Sequence, residues 1–600
     1  EIELADTVIP KAGHDLTLVP EVAATCSGKG HTAYYNCNVC GKLFADEAGE
    51  QILTEEDTVI DALPHSFVGN VCSVCGAINM DAISIGSGST VAVHDPSVVI
   101  AYADEYGVLH PEQEAGTTKV YFIFGTQLAA AYSFDMESWV SFTPTFYEEG
   151  TTTVSADYTK IFATAIQWPG YTDSQTIFGN LWAPDIVYNP VLEKWCLYYS
   201  MSGDASNFRS SVFMMTSDNI TGPYVWDDFI VFSGFNNSRG GAGFEDYKKV
   251  TGDTSVDARY LSSNGTSWNN NYGVSCIDPA VLYDHEGNLW MFYGSWSGGI
   301  FLIKLDENTG LRDLTYDYGY ADVAWEGTSL VYDPYLGYHV AGGYYVSGEG
   351  PYVEYIDGYY YLFMSYGFYS PEGGYNMRVF RSATINGKYT DPDGTWAVYA
   401  SGGFNYGNNT DHGMILMQNY KWSWWTGVGY VAQGHNSVLT DDDGKVYLVY
   451  HVKYDNKTIQ HNVEVHELVA NADGWYLAAP FQKSASDALL TGSEDISGNW
   501  SVIVHNPVDY ANLKVNTDQL LTLNGDGTLS GLYTGTWTRD AQYITIVTNE
   551  AGTFKGTLML QQAEGVENGY TTYTFTAINE NNLCIWGAKY FSDEIAAQIV

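Results

Sequence analysis

Five short segments of the sequence each place an ionisable residue at the start of an apolar run. They read His-Asp-Pro-Ser-Val, Ala-Pro-Asp-Ile-Val, Ile-Asp-Pro-Ala-Val, Glu-Gly-Pro-Tyr-Val and Gly-His-Asn-Ser-Val, and the residues of interest are Asp95, Asp185, Asp278, Glu349 and His435. Two carboxyl groups that face one substrate can protonate a leaving group and activate a water molecule. Three aspartates, one glutamate and one histidine directed at one point would therefore form a catalytic centre.

A single residue of this kind has a simpler explanation. One aspartate at the start of a strand is more often a turn or cap residue, and one histidine is often a satisfied structural residue. The repetition argues against that explanation, because the five residues follow one another at intervals of roughly 70 to 95 positions. We therefore interpret the five segments as equivalent parts of a repeating unit.

The repeating unit predicts an all-β fold. Each segment is followed by a second run rich in aromatic and β-branched residues, at 120–124, 195–199, 289–293, 359–363 and 446–450, and three of these runs follow Gly or Asp turns. Third and fourth strands are predicted at 213–217 and 222–224, and again at 378–382 and 387–389. Radial repetition of four-stranded sheets predicts a five-bladed β-propeller rather than a β-sandwich, and first strands that line a central channel would bring the five residues together.

Composition limits the possible partners. The 600 residues include 25 Lys and Arg against 71 Asp and Glu, a net charge of −46, which argues against nucleic acid and anionic membrane surfaces. A neutral polysaccharide would not be repelled. No apolar run is long enough to predict a membrane span. The sequence begins at Glu1 without a signal-like segment, which suggests a processed or trimmed chain.

The length predicts two or three domains. We assign residues 1–80 to a Cys-rich module, 81–482 to the propeller and 483–600 to a C-terminal β-sandwich or lipocalin-like barrel. Alternating strands and an Asn-Gly-Asp-Gly turn support the last assignment. Its tryptophans, Trp500, Trp537 and Trp586, are expected in the core rather than on a sugar-binding surface.

Five of the eight cysteines lie before residue 76. Cys37 with Cys40 and Cys72 with Cys75 form two CxxC pairs, and this spacing allows both thiolates to bind one tetrahedral zinc ion. Residues 14–41 and 65–76 resemble a full and a truncated copy of one repeat, similar to Cys-rich modules of surface and secreted proteins of anaerobic bacteria. We predict one zinc site formed by the four cysteines. The alternative is disulfides, with Cys26 left over or paired.

Residues 88–482 resemble glycoside hydrolase family 43, and specifically its α-L-arabinanases. The resemblance implies that Asp95 is the catalytic base, Glu349 the acid and Asp278 the carboxylate that modulates and orients the acid. It implies substrate contacts for the Trp-Ala-Pro-Asp and Gly-Ser-Trp-Ser-Gly-Gly segments, that is, for Trp182, Asp185, Trp296 and Ser297. It also implies a metal at His435 in the central channel, for which we expect Ca²⁺ with a shell mostly of water.

The chemistry of inversion agrees with these roles. A protonated carboxyl donates to the leaving oxygen, and a carboxylate about 6.5–9.5 Å away deprotonates the attacking water. The longer side chain of Glu349 suits the acid, Asp95 suits the base, and a nearby Asp278 would favour the protonated acid by like-charge repulsion. We therefore predict an inverting hydrolase of the α-1,5-linked L-arabinan of plant cell-wall pectin, endo- or exo-acting, monomeric, and secreted or displayed on a bacterial cell surface.

Three alternatives remain open at this stage. A β-xylosidase or α-L-arabinofuranosidase of the same family would have a closed pocket for one terminal sugar. A catalytically silent carbohydrate-binding propeller is expected to lack a carboxylate, and all three are present. Fructan enzymes are disfavoured because Ile277, not arginine, precedes Asp278. Long Gly- and Asn-rich stretches at 232–275 and 399–432 could close one end of a groove, so sequence alone leaves internal and terminal cleavage undecided.

Overall fold

The computed structural model describes residues 13–86, 88–203, 208–238, 240–318, 331–343, 348–398, 412–458, 460–506, 514–566 and 570–589. The chain forms two compact units, one of residues 1–82 with 101–119 and the other of residues 83–100 with 120–600. Strands dominate the described residues, as the sequence predicts. Part of the predicted loop 399–432, namely 399–411, lies outside the described residues.

The N-terminal unit is built of short strands with few buried apolar residues. A four-stranded sheet has the order β1-β3-β4-β5, and β2 pairs with β6 and β7 with β8. The strands are β1 (Leu16–Val19), β2 (Gly30–His31), β3 (Tyr34–Cys37), β4 (Leu43–Phe44), β5 (Ile52–Leu53), β6 (Val59–Ile60), β7 (Phe67–Val68) and β8 (Val71–Cys72), and one helical turn, α1 (Glu55–Thr58), precedes β6. The buried cluster of this unit comprises Cys26, Cys72 and Ala77.

The four cysteines of the predicted zinc site do not come together. Cys37 and Cys40 lie with His14, whereas Cys72 and Cys75 lie with Cys26 and His65. The prediction of one shared site was wrong because each CxxC pair lies on its own β-turn, beside the histidine of its own repeat. All eight cysteines have free thiols in the structure.

Five sheets of mainly antiparallel strands follow one another along the chain, and the part of the first sheet within residues 101–119 belongs to the N-terminal unit. The first two sheets have the orders β10-β9-β11-β12-β13 and β16-β17-β18-β19, with a separate β14-β15 hairpin between them. Their strands are β9 (Ser97–Ala103), β10 (Leu109–His110), β11 (Thr118–Phe124), β12 (Ala130–Ser133), β13 (Val140–Phe142), β14 (Phe146–Tyr147), β15 (Val154–Ser155), β16 (Leu181–Asn189), β17 (Lys194–Met201), β18 (Ser211–Ser217) and β19 (Val225–Phe232).

The third and fourth sheets have the orders β20-β21-β22-β24-β23 and β25-β26-β27-β28. Their strands are β20 (Ala280–Tyr283), β21 (Leu289–Tyr293), β22 (Ile300–Lys304), β23 (Val331–Asp333), β24 (Gly337–Ala341), β25 (Glu349–Ile356), β26 (Tyr359–Tyr366), β27 (Asn376–Ser382) and β28 (Met414–Met417). The helices of this unit are short and lie between sheets or within connections: α2 (Tyr158–Ile161), α3 (Ser174–Gly179) and α4 (Ala242–Thr251), with 3₁₀ turns at Thr126–Leu128, Ala165–Gln167 and Ala258–Tyr260, whereas the 3₁₀ turn Met80–Ala82 belongs to the N-terminal unit. The predicted loop 232–275 thus contains α4 and one 3₁₀ turn.

The fifth sheet and a C-terminal barrel complete the second unit. The fifth sheet has the order β33-β32-β31-β30-β29-β36, and eight later strands close into a barrel because β42 pairs back onto β41. The strands are β29 (Tyr420–Lys421), β30 (Tyr430–Thr440), β31 (Val446–Tyr454), β32 (Asn462–Ala470), β33 (Tyr476–Ala478), β34 (Ala488–Leu489), β35 (Gly498–Val504), β36 (Asn516–Thr517), β37 (Gln519–Leu523), β38 (Thr528–Gly531), β39 (Gly535–Asp540), β40 (Tyr543–Thr548), β41 (Gly552–Gln562), β42 (Thr571–Asn579) and β43 (Cys584–Lys589).

The barrel settles the choice between sandwich and barrel. Its strands run β41-β40-β39-β38-β37-β35-β43-β42, and β34 adds to the outside of β41. Trp500, Leu521 and Phe575 are fully buried among its core residues. Trp586 is also fully buried and packs in the cluster shared with the fifth sheet, so two of the three tryptophans are core residues as predicted.

Hydrogen bonds join the first three sheets near their first strands. The carboxylate of Asp185, on β16, accepts a hydrogen bond from the hydroxyl of Ser97 on β9 and another from the backbone N–H of Val281 on β20. Asp185 is 2% exposed, and burial raises its pKa to about 6. This side chain therefore ties three consecutive sheets together.

The remaining sheets continue the same pattern until the last one meets the first. The backbone N–H of Gly350 on β25 donates to Asp278, which directly precedes the third sheet, and β30 contacts β25. The backbone N–H of Asp95 donates to Nδ1 of His451 on β31 of the fifth sheet. The contacts therefore run from the first sheet through the fifth and back to the first.

Candidate active site

One backbone feature recurs at the start of all five sheets. A residue with positive φ precedes the continuous part of each first strand, namely Asp95 (57°), Ala183 (40°), Asp278 (57°), Gly350 (57°) and His435 (48°). Four of the five precede a proline. In the second, fourth and fifth sheets the pairing of the first two strands is irregular at this point. Left-handed backbone is uncommon for residues other than glycine, and it clusters at functional sites.

The five predicted site residues do not occupy equivalent positions relative to this kink. Asp95, Asp278 and His435 occupy the kinked position itself, but Glu349 comes one residue before it and Asp185 two residues after it. The two residues differ in consequence. Glu349 reaches the site from the position that Trp182 holds in the second sheet, whereas Asp185 turns into the packing between sheets.

Asp95 is the carboxylate best suited to act as a base. Its Oδ1 lies 2.6 Å from Nδ1 of His94 and 3.2 Å from Nδ1 of His435, and its Oδ2 accepts a hydrogen bond from the hydroxyl of Thr126. Burial opposes ionisation, but the positive charges of His435 and His94 outweigh it and hold the pKa of Asp95 well below its usual range. A carboxylate has about four acceptor positions. Three are occupied, so a water molecule can bind at Oδ2.

A second layer of residues surrounds Asp95. Nζ of Lys453 lies 3.1 Å from Nε2 of His94, whose Nδ1 faces Oδ1 of Asp95. His451 stacks on His94 at 3.7 Å and accepts the N–H of Asp95 through its own Nδ1. Burial and the charges of His94 and Lys453 hold the pKa of His451 well below its usual range, so it is neutral.

Glu349 is held by three donors. Oε2 accepts hydrogen bonds from Nε1 of Trp296 at 2.7 Å and from the hydroxyl of Ser295 at 3.1 Å, and Oε1 lies 2.6 Å from the hydroxyl of Tyr375. The indole N–H can only donate, whereas a hydroxyl can donate or accept. A protonated Glu349 would therefore carry its proton on Oε1, and a substrate oxygen could take the place of Tyr375 as its acceptor.

Asp278 is coupled electrostatically to both of the other carboxyl groups. Burial raises its pKa, His435 opposes this, and the negative charges of Glu349 and Asp95 raise it further, to about 7. Its Oδ2 accepts a hydrogen bond from the backbone N–H of Gly350 at 3.2 Å, and this bond fixes the peptide that follows Glu349. The three predicted carboxyl residues are thus part of one electrostatic cluster.

His435 contacts this cluster directly. Burial lowers its pKa, but the charges of Asp95, Asp278 and Glu349 outweigh burial and raise it. A Cβ added to Gly350 would lie 2.9 to 3.1 Å from three atoms of the His435 ring, so only glycine fits beside it. The ring directs Nδ1 to Asp95 at 3.2 Å, and its Nε2 could bind a metal only in the neutral form of the ring.

Calcium fits this arrangement only as a mostly hydrated ion. Ca²⁺ prefers six to eight oxygen ligands, and His435 offers one nitrogen. A second candidate group, His94, Asp95 and His451, has donor atoms within 4.8 Å of one another. A metal there would occupy the carboxylate of Asp95 and compete with its hydrogen bonds to His94 and Thr126. His435 therefore remains the better candidate for the predicted ion.

Two of the four predicted substrate-binding residues are not placed to touch a sugar. Asp185 is buried with both oxygens bonded within the protein, as described above, so its assignment was wrong. Ser297 is only 2% exposed, because the turn through Trp296 and Ser297, both with positive φ, directs it inward. A structural role replaces the predicted contact at both positions.

The two tryptophans remain candidates, with different roles. Trp182 is 36% exposed, and its Nε1 donates to the carbonyl of Gly179, which leaves the ring face open. The hydroxyl of Thr126 joins this region to the base, because it donates to Asp95 and accepts the N–H of Ala183. Trp296 holds Glu349 through its indole N–H and is therefore a positioning residue.

Comparison with known proteins agrees with the site. Residues 255–476 match the family described as glycosyl hydrolases family 43, and residues 480–587 match a C-terminal lipocalin-like domain. An extracellular endo-α-(1→5)-L-arabinanase of Thermotoga petrophila is 31% identical over 494 residues, covering 81% of this chain and 94% of the relative. Extracellular endo-α-(1→5)-L-arabinanase 2 of Bacillus subtilis is 29% identical over 511 residues, covering 83% and 93%.

A solved structure extends the agreement to the fold. The crystal structure of endo-1,5-α-L-arabinanase from Thermotoga petrophila superposes with a TM-score of 0.66 at 28% identity, covering 84% of this chain and 99% of that one. The carboxyl cluster, the shared barrel and the extent of the match to the Thermotoga relative lead to one conclusion. The chain belongs to glycoside hydrolase family 43.

Proposed function

We propose that this chain hydrolyses α-1,5-linked L-arabinan with inversion and cuts within the polymer. The observation that carries the proposal is the different environment of three carboxyl groups: an ionised Asp95, a Glu349 held by three donors, and an Asp278 coupled electrostatically to both. Inversion needs one carboxyl to activate water and another to protonate the leaving oxygen. The two relatives described above, both named endo-arabinanases, supply the substrate and the endo mode.

The five sheets support a five-bladed β-propeller as the scaffold of this site. Their first strands contact one another in sequence, and Asp95 of the first sheet meets His451 of the fifth. In a propeller the first strands line the central channel. Residues from different blades, far apart in sequence, would then share one end of the channel and bind one stretch of polymer.

Secretion and a plant pectin substrate complete the proposal. Both relatives are named extracellular, and arabinan is a neutral polymer that a protein of net charge −46 does not repel. Among the described residues, no helix is long and apolar enough to cross a bilayer.

Product analysis tests the proposal. Debranched arabinan should be cut to a ladder of oligosaccharides early in the reaction, with xylan and aryl-β-xyloside untouched, and proton NMR should show first-formed reducing ends of inverted configuration. Release of arabinose alone from the first time points would favour the exo-acting or α-L-arabinofuranosidase alternative. Cleavage of xylosides without cleavage of arabinan would favour the β-xylosidase, and binding without any hydrolysis would favour the silent propeller.

A further inference from the structure

The N-terminal unit contains two copies of one cysteine loop. In the first copy the N–H of Gly41 donates to the carbonyl of Cys37 and the N–H of Cys37 to that of Lys42. In the second copy the N–H of Gly76 donates to the carbonyl of Cys72 and the N–H of Cys72 to that of Ala77. Gly41 and Gly76 both have positive φ, at 68° and 74°. The two CxxC turns therefore have the same backbone.

Each copy also places one histidine beside its cysteines. Nδ1 of His14 lies 3.7 Å from Sγ of Cys40, and Nδ1 of His65 lies 3.5 Å from Sγ of Cys75. The residue after each first cysteine donates its backbone N–H to the carbonyl of the residue after the histidine, from Asn38 to Asp15 and from Ser73 to Ser66, both at 2.9 Å. A histidine and two thiols thus form the common core of both copies.

The copies differ in one residue. Cys26, which lies within the first repeat, joins the group of the second copy, where one donor atom from each of Cys26, His65, Cys72 and Cys75 lies within 4.8 Å of the others. The first group has three donors, His14, Cys37 and Cys40, among the described residues. A backbone hydrogen bond holds Cys26 near the second copy: the N–H of Leu63, two residues before His65, donates to the carbonyl of Thr25, the residue before Cys26.

The donor atoms of the second group lie close enough together to bind one tetrahedral ion. Zinc–sulfur bonds of about 2.3 Å place the ligands of one ion about 3.8 Å apart, and the distance between Sγ of Cys75 and Nδ1 of His65 is 3.5 Å. Cys26 and Cys72 are buried, at 7% and 2% exposure, so a bound ion would be largely shielded from water. A closed set of three thiolates and one imidazole is a common structural zinc site.

We propose that Cys26, His65, Cys72 and Cys75 bind one structural zinc ion, which fastens the first repeat of the N-terminal unit to the second. Among the described residues, the buried cluster around the site consists of Cys26, Cys72 and Ala77, and small domains with little apolar core depend on metals or disulfides. The bound ion would add to the stability of this unit. The first copy, with three donors, would hold zinc less tightly and exchange it with chelators.

Zinc retention in the full chain tests the proposal. The protein is purified under reducing conditions, dialysed against EDTA at neutral pH and analysed for metal by mass spectrometry. The wild type should retain about one zinc per chain, because a tetrahedral four-ligand site holds one ion. Cys26→Ser and His65→Ala should lose at least about nine-tenths of it. The matched variants Cys40→Ser and His14→Ala should retain it.

Cobalt substitution counts the ligands. The Co²⁺-loaded wild type should show thiolate-to-cobalt charge transfer from three sulfurs, and Cys26→Ser should reduce it by about a third. His65→Cys should restore retention with a fourth sulfur, which shows binding even if His65→Ala weakens the fold of the unit. Hydrolysis of arabinan by every variant confirms that the preparations are otherwise intact.

Three results would overturn the proposal. One is retention of zinc by Cys26→Ser together with its loss from Cys40→Ser. Another is a wild-type protein without zinc after reducing purification in zinc-supplemented medium. The last is a disulfide among Cys26, Cys72 and Cys75 in a non-reduced digest of the purified chain, because a disulfide and a thiolate ligand exclude each other.

Discussion

Oδ2 of Asp278 accepts the backbone N–H of Gly350 at 3.2 Å, so the carboxyl group that is electrostatically coupled to both the proposed base and the proposed acid also holds the peptide that follows the acid, Glu349. Asp278 therefore acts on Glu349 in two ways, through charge and through position. The variant Asp278→Asn separates them, because the amide oxygen can keep the hydrogen bond and the charge is lost. Its kcat should fall, and the alkaline limb of its pH–rate profile should shift to lower pH, because Asp278 with a pKa of about 7 is charged above that pH and the variant has no charge to oppose deprotonation of the acid. A lower kcat with an unchanged profile would leave only the positional effect.

Stability should respond to the same substitution with a defined sign. An aspartate in the unfolded chain titrates near pH 4, whereas the pKa of Asp278 in the folded protein is raised to about 7 by burial and by the charges of Glu349 and Asp95. The folded state binds the extra proton in this window, so the contribution of Asp278 to stability falls as pH rises from about 4 to 7. The Tm of Asp278→Asn relative to wild type should increase across that window. Glu286→Gln, at an exposed turn, should show no such trend.

The roles of acid and base can be separated with two substrates. Protonation of the leaving group matters little for an activated aryl-arabinoside, so Glu349→Ala should lose about 10²–10⁴-fold on arabinan and far less on the aryl substrate. Water activation is needed for both, so Asp95→Ala should lose a similar factor on each. Steady-state kcat/KM values on the two substrates decide the matter. Selective loss for Asp95→Ala, with equal loss for Glu349→Ala, would reverse the assignment.

Trp296 and Trp182 should have different kinetic effects when each is replaced by phenylalanine. Trp296→Phe keeps an aromatic ring but removes the N–H that donates to Oε2 of Glu349. Glu349 acts as the protonated, neutral acid in this proposal, and a hydrogen bond between neutral groups contributes about 0.5–1.5 kcal/mol, so kcat should fall about 2- to 10-fold. Trp182→Phe is the matched control, because its indole N–H bonds only to Gly179 and its ring is open to a sugar. It should change mainly KM, and equal effects on kcat would contradict the positioning role of Trp296.

His435 has two effects that one variant and one chelator can distinguish. His435→Asn retains a residue that tolerates positive φ but removes the positive charge that contributes most to lowering the pKa of Asp95. The acid limb of the pH–rate profile should therefore move to higher pH. If the ring also binds calcium, exhaustive chelation should lower wild-type activity, calcium should restore it, and the variant should be insensitive. If chelation had no effect on the wild type, the calcium role would be wrong and only the charge effect of His435 would remain.

The sequence located residues of the site, but it did not show that they occupy different positions relative to the backbone kink. Asp95, Asp278, Glu349 and His435 form one cluster because the strand-opening pattern locates the first strand of each sheet. The position within that pattern depends on backbone conformation, which residue type does not reveal. Asp185 follows the kink by two residues and points between the sheets, although its segment looks like the others.

The residues that sequence analysis missed lie on or next to second and third strands. His451 and Lys453 lie on β31, and Tyr375 directly precedes β27. The pattern of these strands predicts only burial, although a polar residue in an otherwise apolar run was a usable signal. The partner of the second cysteine pair was missed for a similar reason. The CxxC spacing predicts two ligands of a metal, and the long-range folding that brings Cys26 to them leaves no local pattern.

The hydrogen bond from the N–H of Asp95 to His451 spans 356 residues of sequence, and it joins the first of the five sheets to the last. Contacts of such separation form late and slowly when a chain folds, because a long loop must close before they stabilise it. The environment that keeps Asp95 ionised is therefore assembled only when the fifth sheet has docked on the first. Recovery of hydrolysis during refolding would report this docking step, and a nascent chain that has not yet delivered its fifth sheet would have no competent base.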